Sequence, residues 1–249
     1  LLAPEKNKKD FIKPMEKVKN EIIQYKNEKK LLKKVPLYAP AGQSTQMIVG
    51  ASGESDAEIM YTSAFFYKSF NLKRVYYSGY VPISYDNRLP SIGTAVPLLR
   101  ENRLYQTDWL LRFYGFDVRE LLNTEYPNLE SDIDPKLSWA LRNLDQFPID
   151  INKADMRMLL RVPGLGVKSV HKIIGARRYR KLNWENLKSI GAALNRAKYF
   201  ITCDSRIFEG KDRTAAQLKG LIMNSSESKF RKELSTQLNL FDNQSLLPK

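Results

Sequence analysis

The stretch 152–200 constrains the fold most strongly, and its centre is the run Pro163-Gly164-Leu165-Gly166. Proline ends a helix, and two glycines one residue apart let the backbone turn tightly and approach a partner closely. The pattern predicts a helix, a tight hairpin and a second helix that begins at about Val167. We expect Asn152 to cap the first helix, with Asp155 in its opening turn, where a negative charge meets the positive helix end.

Apolar residues recur at helical spacing on both sides of this hairpin, which predicts that the two helices pack together. The apolar positions are Leu159, Leu160 and Val162 before it, and Val167, Val170, Ile173 and Ile174 after it. This arrangement leaves Lys168, Lys172 and the Arg177-Arg178 pair for solvent. A helix N-terminus with free N–H groups, followed by Lys168 and Ser169, favours an anion.

The run from Ile151 to Lys168 resembles the helix-hairpin-helix DNA-binding motif, whose Gly-x-Gly hairpin donates backbone N–H groups to a DNA phosphate. A second, weaker copy would consist of a helix from Trp184 to Ser189, capped by Asn183, and the turn 190–194. It has one glycine, so we expect it to complete a paired helical fold without gripping phosphate. The resemblance implies DNA contacts at Gly164, Leu165, Gly166, Val167, Lys168, Ser169, Lys172, Arg177 and Arg178. The alternative is an ordinary helical turn with glycine as a C-cap.

The positive charge of the chain is concentrated around this motif. The whole chain has a net charge of +14, residues 151–201 have +10, and residues 36–150 have −4. A local surplus of this kind is typical of phosphate binding, which weakens steeply with salt. Backbone contacts position a protein without reading bases, so we expect little sequence preference.

The composition of the chain limits what sort of protein it can be. Its 249 residues, 43% of them hydrophobic, suffice for one large or two modest domains. The single cysteine, Cys203, and single histidine, His171, exclude an internal disulfide and a four-ligand zinc or iron–sulfur site from this chain alone. We interpret His171 as a surface residue or DNA contact. With no signal peptide and no long apolar run, a cytoplasmic protein without a membrane span is expected.

A βαβ unit is predicted near the N-terminal end. Strands are expected at 45–50 and 73–78, and Ser55 with Glu58 forms a capping box for a helix that runs to about Phe70. Strand, helix and strand in this space imply parallel pairing. The polar residues that flank the strands could line a site or be structural; they are Gln43, Ser44, Gln46 and Ser78.

Several uncommon strings resemble, in order, the C-terminal half of a radical-SAM family described as putative DNA modification or repair proteins. These strings are AGQSTQMIVGA from Ala41, LKRVYYS from Leu72, PLLRENRLYQ from Pro97 and DWLLRFYGF from Asp108. The resemblance covers residues 1 to about 203. Members are often linked to uracil-DNA-glycosylase-like proteins, which implies such a partner.

The same resemblance implies S-adenosyl-L-methionine and a [4Fe-4S] cluster as cofactors. The Cys-x-x-x-Cys-x-x-Cys loop that holds the cluster is not in this chain, and the family places it in a half that would precede Leu1. The chain begins without methionine, so we expect a preceding segment. The pocket for S-adenosylmethionine would be bordered by Gln43, Ser44, Gln46 and Gly50.

The remaining segments are helical or polar. A basic amphipathic helix is predicted for 10–34, a helix for 100–114, a short turn capped by Asp117, and a helix opened by Asp134 and Pro135. The aromatic and basic residues near the second strand could line a substrate channel or simply pack; they are Tyr76, Tyr77, Tyr80, Tyr85 and Arg88.

The tail from Thr202 to Lys249 is expected to be largely disordered. Its run Gln237-Leu238-Asn239-Leu240-Phe241 resembles the motif with which bacterial proteins bind the sliding clamp, which implies clamp binding through Gln237, Leu238, Leu240 and Phe241. The alternative is that these residues dock back on the protein.

Together these features predict an α/β fold: the C-terminal part of a partial (β/α) radical-SAM barrel (1–95), a helical connector (96–146), a helix-hairpin-helix domain (147–202) and a flexible tail (203–249). Three functions stay open: the DNA-binding C-terminal portion of a radical-SAM DNA modification or repair enzyme, a non-catalytic DNA-binding tether, or the cluster-less subunit of a split enzyme. No residue is a convincing acid, base or nucleophile, so the catalytic residues are unknown.

Overall fold

The computed structural model describes residues 7–32, 34–83, 85–203 and 209–236, except the side chains of residues 8 and 226–236. The fold is a mixed α/β arrangement, and the chain divides into two compact units, residues 1–135 and 136–249. The connector predicted for 96–146 is thus shared between them. The first unit contains α1 (Lys8–Leu31), β1 (Ser44–Val49), α2 (Asp56–Phe70), β2 (Arg74–Gly79), α3 (Leu98–Phe113) and α4 (Val118–Leu121).

The predicted βαβ unit is confirmed. Strands β1 and β2 are parallel, with Ser44 opposite Arg74 and Val49 opposite Gly79. The Ser55 hydroxyl accepts the N–H of Glu58, and the Glu58 carboxylate accepts the N–H of Ser55, which is the expected capping box. Helix α2 ends at Asn71, whose left-handed backbone turns the chain into β2.

The two-stranded sheet is covered on one face. Val49, Val75 and Tyr77 are buried on the face against which α2 and α3 pack. The alternate residues lie on the opposite face, where Ile48 is 61% and Tyr76 43% exposed. Parallel sheets are normally buried on both faces, so this open face is unusual.

The outer edge of β2 is closed by side chains. The N–H of Val75 donates to the Tyr67 hydroxyl at 2.9 Å, and the N–H of Gly79 donates to the Glu101 carboxylate at 2.8 Å. Between them, the Tyr105 hydroxyl accepts the N–H of Tyr77 at 3.0 Å and donates to its carbonyl at 2.9 Å. The three N–H groups that another strand would need on this side, and the carbonyl of Tyr77, are therefore already bonded.

A buried carboxylate joins α3 to the sheet. Asp108 is 1% exposed; it accepts the Tyr67 hydroxyl and, at 2.8 Å, Nε of Arg112. The Arg112 guanidinium also donates to the carbonyl of Lys73 at 3.1 Å, so its charge is shared between a carboxylate and the backbone. Burial, with Asp108 adding to it, raises the pKa of Tyr67 well above its ordinary value. The Tyr67 hydroxyl therefore stays protonated and can donate to Asp108.

The second unit contains paired helical hairpins, and α5 begins at Pro135, as predicted. Its elements are α5 (Pro135–Arg142), a 3₁₀ turn (Leu144–Gln146), β3 (Ile149–Asp150), α6 (Met156–Arg161), α7 (Val167–Ala176), α8 (Trp184–Ile190), α9 (Leu194–Ala197), β4 (Ile201–Thr202) and α10 (Ala215–Thr236). Strands β3 and β4 are parallel, with Ile149 opposite Ile201, and they join the two ends of the hairpin region.

Two features of this part of the chain differ from the expectation. Within the described part of the tail, Thr202 belongs to β4, and residues 215–236 form α10, in which Leu218 and Ile222 are each 1% exposed. Asn152 does not cap α6. Its side-chain amide donates to the carbonyls of Leu182 and Cys203 and accepts the N–H of Leu182, which links distant segments.

Candidate nucleic-acid interface

The first hairpin connects α6 and α7. Asp155, not Asn152, caps α6 by accepting the N–H of Met158 at 2.7 Å. Leu159, Leu160 and Val162 are buried, as predicted, and α7 begins at Val167. The helix–turn–helix path of 155–176 thus follows the sequence pattern.

Gly164 is required by the second hairpin. Its φ is +89°, a left-handed value that side chains disfavour. A Cβ there would lie 2.6 Å from the carbonyl oxygen of Ala193 and 3.1 Å from the amide nitrogen of Ala197. The Gly164 carbonyl accepts the N–H of Ala193 at 3.1 Å. The glycine therefore permits two backbone segments to pack closely inside the protein. The sequence pattern predicts a close approach at this glycine but attributes it to DNA.

The second hairpin has the predicted outline. Asn183 caps α8 in a capping box with Asn186, and Gly191 ends the helix with φ +89°. The Ser169 hydroxyl, at the start of α7, donates to the carbonyl of Gly191 at 3.4 Å. The Gly164 carbonyl and the Ser169 hydroxyl thus hold the two hairpins together.

The N-terminus of α7 has no side-chain cap. Gly166 occupies the cap position with φ −91°, and it has no side chain to bond the first N–H groups of the helix. The first four N–H groups of any α-helix have no partner within the helix, and the helix dipole makes this end positive. Lys168 lies in the first turn and is exposed. The arrangement can accept an anion.

The other predicted contact residues differ in exposure. Lys172 and Arg178 are exposed, whereas Leu165 is 1% exposed and its carbonyl accepts Nζ of Lys136 at 2.6 Å. Arg177 does not point freely into solvent, because Nη1 donates to the carbonyls of Ile151 and Ala154 at 3.0 and 2.6 Å. The side chains of Leu165 and Arg177 therefore stabilise the unit and are corrected from contact to structural roles.

Of the loop after α7, residues 178–181, the sequence pattern predicts only Arg178 as a contact and leaves out the other three residues. The four side chains of this loop are all exposed, and Tyr179 is 90% exposed. The signal was available, because an aromatic residue inside a run of cations is typical of nucleic-acid binding. No Asp or Glu occurs between Asp155 and Glu185, a stretch that contains eight Lys and Arg residues. His171 is exposed on the same helix as Lys168.

The four residues expected to border S-adenosylmethionine do not form one pocket. Ser44 and Gly50 lie at opposite ends of β1, about 20 Å apart at the rise of a strand. The Gln43 amide donates to the carbonyls of Met15 and Phe70, which is a structural role. Gln46 lies on the open face. The structure thus separates the four, and they do not fit this cofactor.

Gly50 itself is enclosed. Its N–H donates to the Glu54 carboxylate at 2.7 Å, and a Cβ at Gly50 would meet the Pro97 ring at 3.1 Å. Burial disfavours the charged form of Glu54, but hydrogen bonds from Ser52 and Gly50 outweigh it and lower the pKa of Glu54. The carboxylate is therefore held charged at the end of β1.

A cleft of about 570 Å³ opens beside this loop at the carboxyl end of β1. Arg100 crosses it and pairs with Asp56 at 2.6 Å and with Glu54 at 3.5 Å. Arg100, Glu54 and Asp56 are therefore paired with one another across the cleft.

The tyrosines do not form one channel. Tyr77 is buried at 2% exposure, whereas Tyr76 lies on the open face, because successive residues of a strand point to opposite sides. Tyr85 is 95% exposed, and the Arg88 guanidinium pairs with Asp86 at 2.6 Å. The predicted clamp-binding residues Gln237, Leu238, Leu240 and Phe241 lie outside the described residues.

In the described part of the chain no helix is both long and apolar enough to cross a membrane. Over the same residues, no three metal-ligating side chains lie together. Comparison of the chain with protein-family models, curated proteins and solved structures finds no significant match.

Proposed function

We propose that the second unit binds DNA through its phosphate backbone, with the N-terminus of α7 as the anion site. The observation that carries the proposal is the uncapped helix start at Gly166 beside exposed Lys168, within a stretch that has eight cations and no carboxylate. Free N–H groups and a positive helix end bind phosphate without further help. Backbone contacts carry no sequence information, so the preference among sequences is small.

Exposed cations extend the site along α7. Lys168 and Lys172 are four residues apart and so lie on one face of the helix. The ten residues of α7 span about 15 Å, which carries this face from Gly166 to the loop that begins at Arg178. A surface of this length matches several phosphates rather than one small anion.

We further propose that the first unit is the end of a larger parallel sheet, as in the C-terminal portion of a radical-SAM DNA modification or repair enzyme. The closed outer edge of β2 supports it, because growth of the sheet is blocked there. At β1, the odd-numbered residues Gln43 and Val49 accept N–H groups from the β2 side, so the N–H groups of Gln46 and Ile48 point away from β2. Additional strands would pair at that free edge.

In this proposal the catalytic step requires this chain together with the strands that pair with β1. The cluster and S-adenosylmethionine would be held by residues outside this chain, either in a preceding half or in a separate subunit, and the second unit would hold the DNA. A tether without catalysis uses the same DNA site. The two differ in whether a cluster-bearing partner adds to β1.

The DNA proposal is tested by blocking the helix start, with urea denaturation of the variant as a check of folding. Gly166→Val places a branched side chain where a phosphate would lie, and the φ of −91° suits any residue. Fluorescence anisotropy with a labelled duplex should show about tenfold weaker binding, the equivalent of losing roughly 1.4 kcal/mol of backbone contacts. The matched control is Gly53→Val, which has nothing within 4 Å and should bind like the wild type. Equal affinity for both variants would refute the site.

A further inference from the structure

The loop that follows α7 is fixed at both ends. Before it, Arg177 donates to the carbonyls of Ile151 and Ala154. After it, Leu182 is 1% exposed and its N–H donates to the Asn152 side chain at 2.8 Å. Within it, the N–H of Tyr179 donates to the carbonyl of Ala176 at 3.1 Å. The backbone of 178–181 is therefore held in place by its neighbours.

The side chains between these anchors all project into solvent. Arg178, Arg180 and Lys181 are exposed, and Tyr179 between them is 90% exposed. An aromatic ring held out in water by an anchored loop gains nothing from the protein's own core. Cations on both sides of it attract a polyanion and bring it to the ring.

An aromatic ring flanked by cations suits a nucleotide whose base is not stacked in a duplex. Bases stack on exposed aromatic rings with little regard to sequence, while the cations follow the phosphates. In an intact duplex each base face is covered by its neighbours, so the ring has no base face to contact. Only an unpaired or extruded base offers one, and α7 separates this loop from the phosphate site by about 15 Å, roughly four nucleotides along one strand of a duplex.

We infer that Tyr179 stacks on an unpaired base of DNA, so that the second unit prefers duplex DNA with an unpaired base over fully paired DNA. This inference rests on the proposed DNA-binding function and adds a preference that the phosphate site alone does not give. One stacked base corresponds to a preference of roughly 5- to 150-fold.

The test compares two labelled duplexes of one sequence, one fully paired and one with a single bulged 2-aminopurine, against the full chain. The wild type should bind the bulged duplex at least about fivefold more tightly and quench the 2-aminopurine as the ring stacks. Tyr179→Ala should bind both duplexes equally, with unchanged affinity for the paired one, and Tyr179→Phe should keep the preference. Because Tyr179 is almost fully exposed, both variants should unfold at the wild-type denaturant concentration.

The outcomes separate the two proposals. A wild type that binds the paired duplex but shows no preference, or a Tyr179→Ala variant that keeps it, overturns the stacking inference and leaves the phosphate site standing. A wild type that binds neither duplex at low salt overturns the DNA-binding function itself. Retention of the preference in Tyr179→Phe with its loss in Tyr179→Ala supports the ring, not the hydroxyl, as the contact.

Discussion

Gly164 and Ala193 hold the two helical hairpins of the second unit together at backbone distance. The N–H of Ala193 donates to the carbonyl of Gly164 at 3.1 Å, and a Cβ on Gly164 would come within 2.6 Å of the Ala193 carbonyl oxygen. No flexible side chain lies between the two backbones, so a clash between them could be relieved only by a shift of backbone atoms. This contact makes the paired hairpins one body, which positions the start of α7.

Gly164→Ala should destabilise the second unit by about 2 to 4 kcal/mol. The added methyl group meets backbone atoms and forces a left-handed residue with φ +89° to carry a side chain. Urea denaturation gives the free energy of unfolding. The control is Gly175→Ala inside α7, which has open space around it and should gain about 0.5 to 1 kcal/mol. Equal effects in the two variants would contradict the assigned role of Gly164.

Two neighbouring substitutions should have different effects. Arg177→Ala should lower the stability of the second unit, and Arg178→Ala should lower its affinity for DNA. Arg177 donates to two backbone carbonyls, so its loss should cost about 1 to 3 kcal/mol of stability. Arg178 is exposed, so its loss should leave unfolding unchanged and weaken DNA binding. Denaturation and anisotropy on both variants check this pair. A stable Arg177→Ala protein with weakened DNA binding would restore Arg177 as a DNA contact.

Helix caps and helix starts that depend only on neighbouring residues are predicted correctly from the sequence. Ser55 and Glu58 form their capping box from residues three apart, and Val167 begins α7 as expected. Asn152 and Asp155 are both good caps, and the choice depends on Asn152 bonding Leu182 and Cys203, 30 and 51 residues further along. Such tertiary bonds leave no local pattern, which is also why Arg177 was expected to face solvent.

The separation of the expected cofactor residues has a related cause. Gln43 and Gly50 are grouped because the resemblance implies that residues flanking this strand border the cofactor, yet a strand of six residues places them at opposite ends of the sheet. Gly164 shows the same limit, since its partner Ala193 is 29 residues away. A glycine pattern predicts close approach, but not what approaches.

Tyr105→Phe should cost about 1 to 2 kcal/mol of stability. The hydroxyl of Tyr105 bonds both the N–H and the carbonyl of Tyr77, and its removal leaves two edge groups of β2 without their partner. Tyr76→Phe is the matched control, because Tyr76 is 43% exposed on the open face and should tolerate the change. The denaturant midpoints of the two variants measure the difference, and an equal loss of stability in both would contradict the closed edge of β2.

Glu54→Gln should lower stability at neutral pH and have less effect as the solution becomes acidic. The pKa of Glu54 is lowered in the folded protein, so its contribution is present above the unfolded value of about 4.5 and is lost as pH falls through the folded pKa. Unfolding of the two proteins at pH 7 and pH 3 measures the difference. A gap that stays constant or widens in acid would contradict the bonds from Gly50 and Ser52.

The most direct test of the account is the salt dependence of duplex binding by the wild type and by Lys168→Ala/Lys172→Ala. If α7 contacts phosphates, the slope of log affinity against log salt should become shallower by about 1.8, two released counterions at roughly 0.9 each. Lys29→Ala/Lys30→Ala removes the same charge from exposed positions on α1 and should leave the slope unchanged. Equal slopes for all three proteins, or equal reductions in both variants, would mean that α7 is not the DNA-binding surface.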